Sequence, residues 1–335
     1  MKQYYWVFIL LVFWMTRRIF KYPKNKKITY SHVVLETNPT KQLFRSVPSA
    51  TSDKKTSKLQ KCQNVNLGPE KERKIDEMAS DLVAQSNITR YVMFLGFARS
   101  GHSFIGSVID AAPNTLIANE HNAFQRFLNS EYNTSFGLFQ DLATNSIRCG
   151  LYGRVQIYNY TIPNSWQGRA NVLTVIGDKK GGTTTKLLRK HPHAFDSFLT
   201  WLGIQVYIVV VFRNPFDMIA TQSYRSHPDK IISDADVLKV LNSYSFILDY
   251  IEQHPNLKFH VMTMEKFAER TGLEFIRLCK FTGMECNDDL FRQVNTTVHH
   301  KVHKRRYEMK WLPEQKQKVE TFIQQNLLIY YDSEF

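Results

Sequence analysis

Residues 91–104 read Tyr-Val-Met-Phe-Leu-Gly-Phe-Ala-Arg-Ser-Gly-His-Ser-Phe, an apolar run that breaks at a glycine-bearing turn and resumes with helical spacing. An apolar strand feeding such a turn and then a helix constrains the fold more than any other stretch of this chain. Gly96 and Gly101 let the backbone curl so that successive N–H groups point inward, and the following helix adds the positive end of its dipole. A loop of this kind cradles an anion.

From Gly96 to Ser103 the spacing is G-x-x-x-x-G-His-Ser, the nucleotide-phosphate pattern with His102 where a lysine reaches the β- and γ-phosphates in triphosphate enzymes. Losing that fixed cation argues against ATPase or ordinary kinase chemistry and leaves a loop suited to a phosphate or phosphosulfate.

Further strands follow at 115–119, 171–178, 205–212 and 258–267, separated by helical patterns, the first of which runs from Ser103 to Ala111. Several are continuously apolar, as strands covered on both faces must be. The expected class is α/β, a P-loop-like central parallel sheet with helices on both faces, preceded by a membrane anchor and a disordered stem. Ligands of such sheets bind outside the carboxyl ends of the strands, where Arg99, Glu120, Asp178, Lys179, Arg213 and Glu265 fall. Residues 122–170, mixed and aromatic, read as an insertion that shapes an acceptor site.

The formal charge of +14 looks like a nucleic-acid signal until it is located. Sixteen of the 44 Lys/Arg but only four of the 30 Asp/Glu lie in residues 1–74, so the remainder is within two charges of neutral. No nucleic-acid partner is expected. Tyr4 to Met15 is unbroken apolar sequence followed by Thr16-Arg17-Arg18. It is shorter than the roughly 20 residues of a full span, but snorkelling basic flanks extend it, and no small-residue cleavage site follows. The expected organisation is a short cytoplasmic tail (1–3), a signal anchor (4–20), a flexible basic stem (21–74) and a catalytic domain (75–335) opening on a short amphipathic helix. The basic flank after the apolar run opposes a lumenal body under the positive-inside rule. Four N-x-[S/T] sequons, at Asn87, Asn133, Asn159 and Asn295, favour one.

Cys62, Cys149, Cys279 and Cys286 allow three full pairings. The seven-residue spacing makes Cys279–Cys286 the expected local bridge. None has zinc-ligand spacing. His299 and His303 would share a face if helical, but no further ligand completes a metal set, so no metal is expected.

Four stretches together resemble one family, the sulfotransferases that use 3′-phosphoadenosine-5′-phosphosulfate, closest in pattern to the Golgi membrane-anchored carbohydrate enzymes. Arg99-Ser100-Gly101-His102-Ser103-Phe104 is similar to the 5′-phosphosulfate loop, with His102 a departure from its Ser or Thr. VVVFRNPFDMIAT is similar to the 3′-phosphate motif, with Arg213 on the motif arginine and Thr221 in the serine position. Glu120, twenty-one residues after Arg99, matches a proposed catalytic base, and His121 is a rival by its intrinsic pKa. FHVMTMEKF resembles the strand that carries a structural glutamate, here Glu265. The resemblance implies that Arg99 contacts the phosphosulfate, that Ser103 and the backbone around Gly101 hold the 5′-phosphate, and that Lys179 steadies the sulfuryl group. By analogy the basic stretch 299–306 folds over the donor.

The implied protein is a single-pass type II Golgi enzyme with a lumenal catalytic domain, whose acceptor is a glycan or another hydroxyl. Oligomeric state is left open. Two readings compete: a P-loop kinase in which Asp178 ends a Walker B strand and holds magnesium, and an inactive glycan-binding module. If the body is lumenal, glycosidase treatment of protein recovered from the secretory pathway will increase its gel mobility; an unshifted band speaks against that topology.

Overall fold

The computed structural model describes residues 62–154 and 158–331, and the apolar run at 4–20 lies outside them. No helix among the described residues is long and apolar enough to cross a membrane.

Helix α1 (Pro69–Ala84) leads into β1 (Arg90–Gly96), α2 (His102–Asp110), β2 (Thr115–Asn119), α3 (Ala123–Leu128) and α4 (Ser135–Tyr152). Strand β3 (Val175–Lys179) is followed by α5 (Gly181–Lys190) and α6 (Pro192–Leu202), and β4 (Gln205–Phe212) by α7 (Pro215–Ser226) and α8 (Asp234–Gln253). After β5 (Lys258–Thr263) come α9 (Met264–Glu269), α10 (Thr271–Thr282), α11 (Asp288–Thr297) and α12 (Pro313–Asn326). The five strands form one parallel sheet in the order β2-β3-β1-β4-β5.

Strand periodicity explains the two-sided cover. Tyr91, Met93 and Leu95 of β1 pack on one side with residues of α1, α4, α6 and α8, while Val92 and Phe94 pack on the other with α2, α10 and α11. Successive side chains point to opposite faces, so a strand buried on both must be apolar throughout. From β1 the chain moves one way across the sheet, to β2, and from β4 the other way, to β5. The carboxyl ends of adjacent β1 and β4 therefore flank a topological switch point, where α/β sheets open a crevice.

Three expectations change. Residues 62–74, assigned to the stem by composition, belong to the folded body: Cys62 is fully buried and bridges Cys149, and α1 starts at Pro69. The polar composition there reflects the exposed face of an amphipathic helix whose Ile75, Ala79 and Val83 are buried. Residues 122–170, read as an insertion, are built into the core instead, because α4 fills their centre and carries Leu138, Leu142 and Ile147 inward. The last strand ends at Thr263, whose hydroxyl accepts from Lys266 N and starts α9. The expected Cys279–Cys286 bridge is present.

A buried ion pair ties the second half of this segment down. Arg154 Nη1 lies 2.6 Å from Asp110 Oδ2, with both side chains almost fully enclosed. The carboxylate also accepts from Ile117 N, Gly168 N and Ser146 Oγ, joining α2, β2, α4, Arg154 and Gly168. Burial pushes the Asp110 carboxyl up while Arg154 opposes the shift. Removing one partner strands the other charge in the interior, so Arg154→Met should cost about 3–5 kcal/mol. A urea midpoint equal to wild type would show that the pair does not hold the loop.

Candidate functional site

The glycine loop turns at the end of β1 with its backbone tightly held. Gly96 N donates to Thr185 Oγ1 (3.0 Å), which donates back to Gly96 O (3.1 Å), clamping the loop to α5. Gly101 (φ +100°) caps α2, and a Cβ there would lie 2.2 Å from Met264 Cγ. Arg99 (φ 81°) and Glu120 (φ 62°) both occupy the left-handed region that side chains avoid. Strain of this kind, on the order of 1–3 kcal/mol each, gathers at functional sites.

These residues open onto a cleft of about 1070 Å³ whose lining includes the whole loop 97–104, Glu120, Arg213 and Thr221. The two arginines, 114 residues apart in sequence, face one space because β1 and β4 are neighbours. Among the described residues, nine lysines and arginines line the cleft against a single carboxylate, Glu120. A field of that sign, focused in a concave site, concentrates a multiply anionic ligand.

At the β4 end, Arg213 is positioned by its own backbone, whose carbonyl accepts from Tyr244 Oη at 2.8 Å. Its Nη2 donates to His303 O at 2.6 Å, and its Nε is buried with no hydrogen-bond partner among the described residues. A guanidinium fixed at a strand end on the cleft wall is suited to an anionic oxygen. Thr221 spends its proton on Asp217 O (2.7 Å), leaving its oxygen on the cleft. Glu265 accepts from Asn214 N at 2.9 Å, tying the end of β5 to the residue after Arg213. That is the structural role expected of it.

Beneath the loop, Lys179 is fully buried and does not itself line the cleft. Its Nζ donates to Ser103 Oγ (3.0 Å) and Glu120 Oε1 (2.5 Å). The side chain passes α2 at Gly106, where a Cβ would sit 2.6 Å from Lys179 Cγ. Lys180, on the cleft wall, grips the other Glu120 oxygen. Burial alone would raise Glu120, but Lys179 and Lys180 hold it down at about 2. Burial brings Lys179 to about 8 against the pull of Glu120.

His102 replaces a cation in position only. Burial and neighbouring Lys179 lower it to about 3, so it lines the cleft as a neutral imidazole bonded to Ser100 Oγ at 3.1 Å. Phe104 lines the cleft and packs edge-on against Phe267. His121, the rival base, is not on the cleft. Its Nε2 meets Tyr132 Oη at 2.9 Å on the far side of Glu120, and burial with Arg126 nearby brings it to about 4.

Asp178 is also misassigned by a Walker B reading. Its two oxygens accept from His121 N (3.0 Å) and Ala123 N (2.8 Å), closing the turn from β2 into α3. It is not one of the residues that line the cleft. His299 and His303 share no helix face, because α11 ends at Thr297. No group of three metal-ligating side chains exists among the described residues. The segment 298–305 instead forms one wall of the cleft, secured by Arg213 on His303 O and by Arg306, whose N–H and guanidinium engage Asp217.

The sequence pattern missed several walls. Tyr158 and Tyr160 come from shortly after Arg154 in the chain, and Lys186 and Arg189 from α5. Arg225, one helical turn after Thr221 on α7, carried a usable signal in its i, i+4 spacing.

No family model matches the chain, and no curated protein does. Solved structures similar to it include the sulfotransferase domain of the Synechococcus PCC 7002 olefin synthase, 13% identical over 71% of this chain and 95% of that one, at a TM-score of 0.41. The sulfotransferase domain of the curacin biosynthetic pathway is 12% identical, covers 73% of this chain and 99% of its own length, and scores 0.43. A mouse sulfotransferase complexed with PAP is 12% identical over 76% of this chain and 90% of that one, at 0.39. At these levels the functional reading rests on the residues of the cleft.

The sign of the Lys179 and Glu120 shifts makes the pair testable. Lys179, lowered in the fold, costs stability while protonated, and that cost is relieved as pH rises from about 8 toward its unfolded value. Glu120, lowered by its lysines, contributes stability that is present above the ordinary carboxylate range and lost as pH falls toward about 2. In Glu120→Gln the carboxylate that supports the ammonium is gone, so Lys179 should titrate below about 8. The pH dependence of its εCH₂ NMR shift reads this directly, and an unchanged midpoint would dissolve the pairing.

Proposed function

We propose that this chain transfers the sulfuryl group of 3′-phosphoadenosine-5′-phosphosulfate to an acceptor hydroxyl, on a glycan. One observation carries the reading: Arg99 and Arg213, at the ends of adjacent strands, line a single cation-rich cleft. That spacing of grips suits a ligand with anionic groups at both ends, which a nucleotide phosphorylated at 3′ and 5′ provides.

Arg99, Ser100, Gly101, His102, Ser103 and Phe104 take the 5′-phosphosulfate end, with backbone N–H groups and the α2 dipole supplying charge where the loop lysine is missing. Arg213 and Thr221 take the 3′-phosphate. Glu120 accepts the acceptor's proton as its oxygen bonds to sulfur and the bond from sulfur to the phosphate oxygen breaks. Gripped by two lysines, Glu120 is a weak base, but an anionic donor competes for Lys180, and loss of either cation raises its basicity. Lys179 acts through Ser103 and Glu120, and fixed cations around the leaving phosphate stabilise its charge.

Asp178, committed to two backbone amides, is not disposed to hold magnesium, which weighs against a kinase. Two disulfides and exposed sequon asparagines at 87, 133 and 159 support a secretory setting. We place the protein as a type II Golgi membrane enzyme with its body in the lumen, taking PAPS as co-substrate and no metal.

Arg213→Ala should weaken 3′-phosphoadenosine-5′-phosphate by about 2–3 kcal/mol, the worth of a charge-assisted contact, and leave adenosine-5′-phosphate nearly unaffected. Calorimetry with both nucleotides decides it. Equal losses would remove Arg213 from the 3′ site.

A further inference from the structure

Glu120 sits on a turn whose backbone is strained at two places. Glu120 (φ 62°) and Asn122 (φ 70°) both lie in the left-handed region, one residue apart. Outside glycine such conformations are uncommon and persist where neighbouring structure fixes them. The Asn122 side chain makes no capping hydrogen bond to α3, and the fixing group comes from β3 instead. Asp178 Oδ1 accepts from His121 N at 3.0 Å and Oδ2 from Ala123 N at 2.8 Å, so the amide after each left-handed residue is bonded to one buried carboxylate. Glu120 N donates to Lys179 O at 3.1 Å. The peptide groups on both sides of Glu120 are therefore bonded to consecutive residues of one strand.

We propose that Asp178 is the positioning residue for Glu120: by holding these two amides, its carboxylate keeps the Glu120 side chain on the cleft. The inference rests on the reading of Glu120 as proton acceptor and extends it to the group behind it. Asp178 does not line the cleft, so it acts through the backbone of the turn.

Both Asp178 oxygens face N–H donors. A carboxylate satisfies both, whereas a neutral acid carries its own proton on one oxygen and gives up that bond. Burial lifts Asp178 to about 6, with Glu120 of β2 adding repulsion and Lys179 of β3 opposing it. From the turn and α3 it meets the amides of His121 and Ala123. Tyr91 of β1, which also feels Asp178, is raised well above its usual range by burial and stays neutral. As pH falls through about 6, one amide is released and Glu120 is free to leave its left-handed conformation.

Backbone amide NMR of the full-length chain should show His121 and Ala123 shifting together with a midpoint of about 6. Glu120→Gln, which removes the repulsion, should move that midpoint down. Release of sulfate from 3′-phosphoadenosine-5′-phosphosulfate, with water as the acceptor, reads the chemistry: the water oxygen bonds to sulfur, the bond from sulfur to the phosphate oxygen breaks, and Glu120 takes the proton. The wild-type rate should fall on the acid side with the same midpoint. Asp178→Asn should lower the rate about tenfold to a hundredfold and abolish that acid limb, while calorimetric affinity for 3′-phosphoadenosine-5′-phosphate stays within about twofold of wild type. Amides that do not titrate together in wild type, or an acid limb that survives Asp178→Asn, overturn the assignment, and the wild-type titration decides it even where the variant does not fold. A rate unchanged in Glu120→Gln overturns the reading of Glu120 as base instead, and the amide titration, which needs no nucleotide, keeps the two failures apart.

Discussion

A single buried ammonium sets the geometry of this molecule's centre. Lys179 Nζ, shielded from solvent at the end of β3, reaches Ser103 at the start of α2 and Glu120 at the end of β2. A charge removed from water must be matched or it neutralises, so these three segments cannot drift apart without exposing it unpaired. Gly106 exists in α2 because the lysine stem needs the space a Cβ would fill. The anion loop is thereby fixed from below by charge and from the side by the Thr185 clamp on Gly96.

With the loop fixed, the parallel sheet does the rest of the positioning. Adjacent β1 and β4 deliver Arg99 and Arg213 to one crevice, and the chain from α11 to α12 closes over it through His303 and Arg306. The cleft's imbalance, nine cations to one carboxylate among the described residues, belongs to the folded body whose sequence is nearly neutral. Charge has been sorted by folding, with the acids placed elsewhere on the surface or paired in the interior. The strained backbones of Arg99 and Glu120 both border the same cleft, where the surrounding packing can hold them.

Much of this was legible in the chain. Continuous apolar runs announce strands covered twice, and the glycines with Arg99, Ser103, Arg213 and Glu120 fall at strand ends, where the cleft forms. What misled was local resemblance without tertiary context. Asp178 ends an apolar strand as a metal-binding aspartate would, yet two backbone amides consume it. His299 and His303 have helical spacing in a segment that is not helical. Residues 62–74 look like linker because an amphipathic helix on a surface shows mostly its polar face.

The sequence by itself determined the alternation of strands and helices and the identity of the loop, because periodicity and glycine geometry are local properties of the backbone. Only the tertiary structure decided which polar groups remain available. Whether a carboxylate or imidazole faces a ligand or is spent on a neighbour depends on partners dozens of residues away. Glu120 with Lys179 and Lys180, Asp178 with the β2–α3 turn, and His121 with Tyr132 are all pairings of that kind.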